Sequence, residues 1–185
     1  MQRFTPRGVL RGVTNRIATL APSEDPPAAI SELYRQHWAG LVRLAVLVVD
    51  DAESAEDVVQ EVFTELYRKW PLDDPDRVLS YLRTAVLNRS RSVLRRRRVA
   101  RLYIPPSTRS GDSAESAAEI GESRREVRRA LQALPIRSRE VLVLRYYLDL
   151  PYAEIGQTLG ISESTARSTA SRALATLTRS LKESR

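Results

Sequence analysis

Two neighbouring stretches of this chain carry charges of opposite sign, and they hold the side chains with the clearest chemistry. Seven carboxylates and no base lie between Asp50 and Leu66, whereas eight arginines and no acid lie between Arg83 and Arg101. Clustered guanidinium groups bind phosphate backbones through counterion release and bidentate hydrogen bonds. A row of carboxylates suits a basic protein surface. The pattern therefore predicts one surface for a polyanion and an adjacent surface for a basic protein partner.

Covalent catalysis and metal binding have few side chains to draw on. The chain has no cysteine and one histidine, His37, which excludes disulfides, thiolate zinc sites, Ser–His and Cys–His pairs and multi-histidine metal sites. The carboxylates follow one amphipathic helix pattern and do not form a pocket-like cluster. We therefore expect no cofactor, no metal and no enzymatic activity. An RNA-binding or nucleic-acid-modifying enzyme is disfavoured on the same grounds.

Composition agrees with nucleic-acid binding. The 185 residues carry a net charge of +7 and a pI of about 10.2, and only Lys69 and Lys182 of the 30 basic residues are lysine. Arginine suits phosphate and guanine contacts, although codon bias in a GC-rich genome explains the preference equally well. No apolar run approaches the roughly 20 residues of a membrane span, and no signal-peptide core precedes the first helix. We expect a cytoplasmic protein that does not bind membranes.

Apolar residues recur at helical spacing in three segments of the first half of the chain, and no strand pattern appears. The spacing predicts helices over about 28–49, 52–70 and 76–98. In the second helix the apolar face is backed by a polar face of Glu53, Glu56, Asp57, Gln60, Glu61 and Thr64. The third helix is expected to bury Leu79, Leu82, Val86 and Val93. The face opposite that core stripe contains Tyr81, Thr84, Asn88, Arg91, Ser92 and Arg95.

Residues on this polar face of the third helix have the chemistry for unpaired bases. Asn88 can hydrogen-bond a base edge, and Tyr81 can stack on a base that has left the duplex. The alternative is a solvated basic helix or a nonspecific nucleic-acid patch.

The second half of the chain has the pattern of a helix-turn-helix. Helices are expected from about Glu122 to the residue before Pro135, and over 137–148, 152–159 and 163–181, with Gly160-Ile161-Ser162 as the turn. The last helix should bury Ala166, Ala170, Ala173, Leu174, Leu177 and Leu181, and the helix that begins at Glu122 should bury Val127. The exposed residues of the last helix would then be able to enter a major groove. They are Ser164, Thr165, Ser168, Ser171 and Arg172, with Arg167 at the flank.

The fold class predicted from these patterns is all-α, with two small helical domains joined by a flexible linker. The expected divisions are an N-terminal arm over 1–27, a first domain over 28–99, a linker over 100–121 rich in proline, serine and glycine, and a second domain over 122–185. The arm is expected to be a poorly ordered tail. A short amphipathic helix is the alternative, because Leu10, Val13, Ile17 and Leu20 have helical spacing.

Taken in order, these motifs resemble a bacterial RNA polymerase sigma factor of group IV, the extracytoplasmic-function (ECF) type of the sigma-70 family. The segment from Asp50 to Phe63 resembles region 2.2, and the segment from Ser80 to Asn88 with the following arginines resembles regions 2.3 and 2.4. Region 4 is matched by Leu134-Pro135, Arg145-Tyr-Tyr, Tyr152-Ala-Glu-Ile-Gly and Leu159-Gly-Ile-Ser. The resemblance covers about four fifths of the chain.

The resemblance implies roles for the predicted surfaces. Asp57, Gln60, Glu61 and Phe63 would bind the β′ clamp of core RNA polymerase, Phe63 as a packing anchor, and the β subunit would be a further contact. Tyr81, Thr84, Asn88, Arg91, Ser92 and Arg95 would bind the −10 element, with the loop between Trp70 and Arg77 capturing a flipped base. Ser164, Thr165, Arg167, Ser168, Ser171 and Arg172 would read the duplex −35 element. Whether an anti-sigma factor also binds is left open.

Some positions depart from the pattern of the family. Ser92 stands where many members have aspartate, Tyr81 replaces a frequent tryptophan, and the recognition helix begins Ser164-Thr165-Ala166-Arg167-Ser168. These differences bear on which promoter sequence the protein would recognise and leave the expected class of activity unchanged. A helix-turn-helix regulator that binds duplex DNA without polymerase is the alternative function, but such a regulator has no use for the acidic helix.

Overall fold

A computed structural model describes residues 26–72, 77–103 and 121–183 of the chain. These residues contain no strand and form seven helices: α1 Pro26–Val49, α2 Ala52–Lys69, α3 Val78–Tyr103, α4 Glu122–Ala133, α5 Ile136–Leu142, α6 Tyr152–Leu159 and α7 Glu163–Glu183. The all-α prediction is confirmed. Most of the predicted N-terminal arm and linker, and the centre of the loop after Trp70, lie outside the described residues.

The first three helices pack around one apolar core. Leu44, Leu66 and Leu82 are completely buried where α1, α2 and α3 meet. Full burial of each such side chain contributes roughly 1.5–3 kcal/mol. Because the apolar stripe of α2 is fixed in this core, the predicted acidic face of the helix turns to solvent.

The turn between α1 and α2 is held by Arg97, one of the eight arginines between Arg83 and Arg101. Arg97 donates to the Val49 carbonyl oxygen at 3.1 Å, to Asp51 Oδ2 at 2.5 Å and to the Ser54 hydroxyl. Asp51 also caps α2 by accepting a hydrogen bond from the Ser54 backbone N–H at 2.7 Å. Burial alone would raise the pKa of Asp51, but these bonds from Ser54 and Arg97 outweigh it and lower the pKa. Arg97 is therefore a structural residue, unlike its exposed neighbours Arg96 and Arg98.

The second group of helices contains the predicted helix-turn-helix, with α6 and α7 as its two helices. Gly160 ends α6 in the left-handed conformation at φ 67°, which glycine adopts at little cost. The Ser162 hydroxyl accepts a hydrogen bond from the Thr165 backbone N–H at 3.1 Å, so the last residue of the predicted turn caps α7. The helix predicted over 137–148 is instead α5 followed by a π-helical turn over Val143–Tyr147.

Two apolar residues that were expected in the core are exposed. Val127 is 45% exposed, because burial begins only near the C-terminal end of α4, at Ala130 and at Leu134 directly after the helix. Leu174 is 40% exposed, because small residues make the close contacts of α7. The buried residues of that helix are Ala166, Ala170 and Ala173.

The helices also differ from the predicted bounds at their ends. The third helix continues about five residues beyond the predicted 98, to Tyr103. None of the helices in the described part of the chain has both the length and the apolar character of a membrane span.

Candidate protein and nucleic-acid surfaces

The acidic side of α2 forms an exposed polar groove beside α3. Asp57, Gln60 and Glu61 are all exposed there, as predicted for a partner-binding surface. The groove is lined by Asp57, Gln60, Glu61, Thr64, Glu65, Arg68 and Arg89. Arg89 of α3 pairs with Glu61, and Lys69 pairs with Glu65 at 2.7 Å. A basic partner that binds Glu61 must therefore replace Arg89. Asp57, in contrast, has no ion pair within the described residues.

Phe63, predicted as a packing anchor for core polymerase, lies in the core of the protein. Its side chain is only 5% exposed and packs edge-on against Tyr34, with ring centroids 5.0 Å apart. Phe63 lies one residue beyond Val62 on the apolar stripe of α2, so it faces α1 and not the acidic groove. We conclude that Phe63 positions the acidic face and is not itself part of the exposed contact surface.

The six residues predicted to face unpaired bases differ in exposure along α3. Asn88 and Arg95 are exposed, whereas Tyr81, Thr84, Arg91 and Ser92 are partly buried. The Asn88 side-chain oxygen accepts a hydrogen bond from Arg91 Nη2 at 2.5 Å, and the Ser92 hydroxyl donates to the Asn88 carbonyl oxygen at 3.1 Å. The Tyr81 ring packs against the core and lies 6.0 Å from Lys69 Nζ. Asn88 is thus held in a defined rotamer and is also accessible.

Arg91 has a second contact that was not predicted. Its Nε atom lies 3.0 Å from Glu140 Oε1, and the Glu140 side chain is completely buried. Burial lowers the pKa of Arg91, and Glu140 opposes this effect. For Glu140, burial raises the pKa of the carboxyl group, while Arg91 and Arg137 oppose the rise. The sequence carried no signal for this contact, because the two residues are 49 positions apart and belong to separate helices.

The predicted recognition helix α7 presents one continuous polar surface. Ser164, Thr165, Arg167, Ser168, Ser171 and Arg172 are all exposed. Arg172 donates through Nε to the Ser168 carbonyl oxygen at 3.3 Å and has no carboxylate partner among the described residues. Short hydroxyl side chains on such a helix allow close approach to base edges.

Arg167 is less free than Arg172. It pairs with Glu163 at 2.6 Å and stacks on the ring of Tyr152, with its guanidinium carbon 4.9 Å from the ring centroid. Arg145 lies 5.3 Å from the same ring. The proximity of Tyr152 to two arginines was missed by sequence reasoning, because the three residues belong to separate elements.

The described residues contain no group of three His, Cys, Asp or Glu side chains that could hold a metal ion. The features that remain are an acidic groove, a polar and cationic face on α3 and an exposed recognition helix. Each of these can bind a charged macromolecule.

Comparison with protein families gives two matches in chain order. The model described as Sigma-70 region 2 matches residues 33–99, and the model described as Sigma-70, region 4 matches residues 124–177. The first match spans most of α1 and all of α2, with much of α3. The second match contains the helix-turn-helix.

Individual proteins agree with these matches. The chain is 29% identical to the RNA polymerase sigma-E factor of Streptomyces coelicolor, over 79% of this chain and 82% of the relative. It is 30% identical to the ECF RNA polymerase sigma factor SigM of Mycobacterium tuberculosis, over 83% of this chain and 77% of the relative. In fold it is similar to the sigma factor RpoE solved in complex with the anti-sigma factor NepR from Bartonella quintana, with a TM-score of 0.67, 20% identity and coverage of 85% and 99%.

Proposed function

We propose specific roles for the surfaces described above from the premise that this chain belongs to the sigma-70 family of RNA polymerase sigma factors, as a member of the ECF type. It binds core RNA polymerase and directs it to promoters. The acidic groove of α2 docks on the β′ clamp, the polar face of α3 binds the −10 element as a single strand, and α7 reads the duplex −35 element. The loop between Trp70 and Arg77 receives a flipped base, although its central residues lie outside the described ones.

One observation carries the proposal: the residues of three separate predicted surfaces are exposed on three different helices. Asp57, Asn88 and Arg172 are exposed on α2, α3 and α7 respectively. A protein that brings polymerase to DNA needs such separate surfaces, because it must contact two partners at once. Melting then follows from differential binding, since a surface that prefers unpaired bases shifts the equilibrium towards open DNA.

We also propose the division into domains over 28–99 and 122–185, joined by a linker over 100–121. The linker would enter polymerase channels near the active centre. The activity is binding and not catalysis, and it takes place in the cytoplasm. An anti-sigma factor is a candidate partner, because a chain of the same fold has been solved with one.

The function is tested by transcription in vitro with the full chain and bacterial core RNA polymerase on a library of DNA fragments. We expect transcription starts that depend on the protein and share sequences near −35 and −10. A control without the protein defines the background of the core enzyme. Binding to duplex DNA without any initiation would instead support the alternative, a helix-turn-helix regulator that acts without polymerase.

Replacing Asn88 with alanine should slow promoter opening more than it weakens binding to closed duplex DNA. The exposed amide is expected to hydrogen-bond an unpaired base, a contact that is absent while the bases are stacked. Opening is measured by permanganate reactivity of unpaired thymines, and duplex binding by competition at low temperature. Gln36→Ala is the matched control, because it removes an exposed amide from α1, which holds none of the predicted DNA-binding residues. Equal losses of opening and of duplex binding would contradict a single-strand role for Asn88.

A further inference from the structure

The side-chain amide of Asn88, which is proposed to contact an unpaired base, has its orientation set by a neighbour on the same helix. Arg91 Nη2 donates to Asn88 Oδ1 at 2.5 Å from three residues further along α3. A guanidinium group carries donors only, so the atom of the amide that faces Arg91 must be the oxygen. The nitrogen Nδ2 then lies on the other side of the amide group. It donates to no acceptor among the residues that the structure describes.

Arg91 is itself held in place by α3. Its Nε donates to the Leu87 carbonyl oxygen at 3.3 Å, and its side chain is only 24% exposed. Because Leu87 and Asn88 both belong to α3, these two bonds need nothing beyond the helix itself. A guanidinium group has five N–H donors, so Arg91 can keep Asn88 as a partner and still donate to a DNA phosphate. Binding of DNA therefore does not require the Asn88 amide to turn over.

Ser92 leaves the nitrogen of the Asn88 amide free for a partner. The Ser92 hydroxyl donates to the backbone carbonyl oxygen of Asn88 at 3.1 Å and makes no bond to the amide. An aspartate at this position would instead offer a carboxylate one helical turn from Asn88, within reach of its amide nitrogen. In this chain the exposed Asn88 side chain can thus present both of its N–H groups to DNA.

The bases differ in how they meet an amide that presents only N–H groups. An asparagine that uses both its oxygen and its nitrogen binds adenine at N6 and N7. With the oxygen occupied by Arg91 this contact is lost, and the adenine amino group would face the Asn88 N–H groups as donor against donor. Guanine offers two neighbouring acceptors, O6 and N7, and unpaired cytosine offers O2 and N3. The fixed amide therefore favours guanine or cytosine and disfavours adenine.

We propose that Arg91 is a positioning residue for base selection: it fixes the Asn88 amide with its N–H groups outward, so that the −10 base at Asn88 is selected as guanine or cytosine and adenine is rejected. The inference rests on the −10 role proposed for Asn88. It gives Arg91 a part in sequence selection in addition to its charge, which serves the phosphate backbone alike for all sequences.

Base selection is measured with holoenzyme, assembled from the full chain and core RNA polymerase, and a pool of single-stranded DNA of random sequence. The bound DNA is recovered, sequenced and aligned on the motif that its members share. Asn88→Ala identifies the position of the motif at Asn88, because the base preference should be lost there. At that position the unaltered protein should favour guanine or cytosine over adenine by about fivefold or more, the lower limit for a good hydrogen-bonded contact with a base.

Two substitutions of Arg91 separate positioning from other effects. Methionine has no donor, so in Arg91→Met the amide can turn over and bind adenine, and the preference against adenine should disappear. Lysine carries donors only, so Arg91→Lys should keep the preference. Because Arg91→Met takes a partner from the buried Glu140, the double variant Arg91→Met, Glu140→Gln replaces it if the single variant does not fold, as judged by circular dichroism. Glu140→Gln alone is then the reference.

Asn88→Asp tests the same point at an exposed position. Aspartate keeps Arg91 as a partner but presents no N–H group to a base, so the preference for guanine or cytosine over adenine should be lost. Its negative charge weakens binding of all sequences alike and leaves the ratios between bases to report the contact. Arg35→Met is the matched control, because Arg35 on α1 also contacts a residue three positions earlier. It should leave all base preferences unchanged.

The outcomes separate this inference from the proposed function. A preference for adenine at the position of Asn88 would overturn it. An Arg91→Met variant that binds all sequences more weakly with unchanged base ratios would also overturn it, since Arg91 would then contact phosphate only. If Asn88→Ala changes the preference at no position, the −10 role of Asn88 fails and the inference fails with it. Transcription starts that still depend on the protein would show that the sigma activity itself stands in each of these cases.

Discussion

Replacing both Asp57 and Glu61 with lysine is expected to abolish binding to core RNA polymerase. Both side chains are exposed in the acidic groove of α2, where the proposed partner surface is basic. Charge reversal places like charges opposite each other, which costs several kcal/mol and predicts a loss of affinity of about 100-fold or more. Binding is measured by fluorescence anisotropy with labelled full-length protein and purified core enzyme, at two salt concentrations.

The fold should survive this double change. Substitutions at exposed positions usually alter the free energy of unfolding by no more than about 0.5 kcal/mol each. The pair that Glu61 makes with Arg89 is itself exposed, with side chains 47% and 43% accessible. Its loss should therefore change the free energy of unfolding only slightly. Urea denaturation of the variant and the unaltered protein should therefore give similar midpoints.

A matched charge reversal outside the groove provides the control. Glu32 in α1 and Glu183 at the end of α7 are not part of the acidic groove, and lysine at both gives the same change in net charge. This control should retain most of the affinity for polymerase. If the groove variant binds as tightly as the control, the assignment of α2 to polymerase docking is wrong.

Helical periodicity predicted most of the fold because the apolar stripes are unambiguous. The stripe from Ala55 to Leu66 places α2 on its core, and the predicted bounds 152–159 match α6. The predictions for Val127 and Leu174 failed because periodicity identifies the side of a helix but not how far a neighbouring helix extends along it. Phe63 shows the same limit, since an aromatic residue next to an acidic face can serve the core instead.

The contacts between the two groups of helices were beyond the reach of sequence reasoning. Arg91 and Glu140 are distant in sequence, and Arg91 had been placed on a DNA-binding face by its spacing alone. The basic run likewise suggested one function for all its arginines, but Arg97 is committed to the Asp51 cap. Charge patterns predict which surfaces attract a polyanion. They do not predict which of the charges the folded protein uses for itself.

Replacing Arg172 with alanine should weaken recognition of the −35 element more than replacing Arg167. Arg172 has no carboxylate partner among the described residues, so DNA binding does not require it to give up an ion pair, whereas Arg167 must leave or share Glu163. A bidentate contact with a base is worth about 1–3 kcal/mol, or roughly 5- to 150-fold in affinity. Binding by the holoenzyme is measured on promoters with native and altered −35 sequences over a range of salt concentrations.

The salt dependence distinguishes the two ways in which Arg172 could contact DNA. If Arg172 reads a base, alanine should reduce the discrimination between native and altered −35 sequences and leave the salt slope nearly unchanged. If it binds a phosphate, alanine should weaken both sequences alike and lower the slope by about one. Ala175→Ser on the exposed side of α7 is a control for changes to the helix itself. An Arg172→Ala variant that binds both sequences with unaltered affinity and slope would remove this residue from the −35 surface. The Arg172 guanidinium, which has no carboxylate partner among the described residues, would then have to serve another partner.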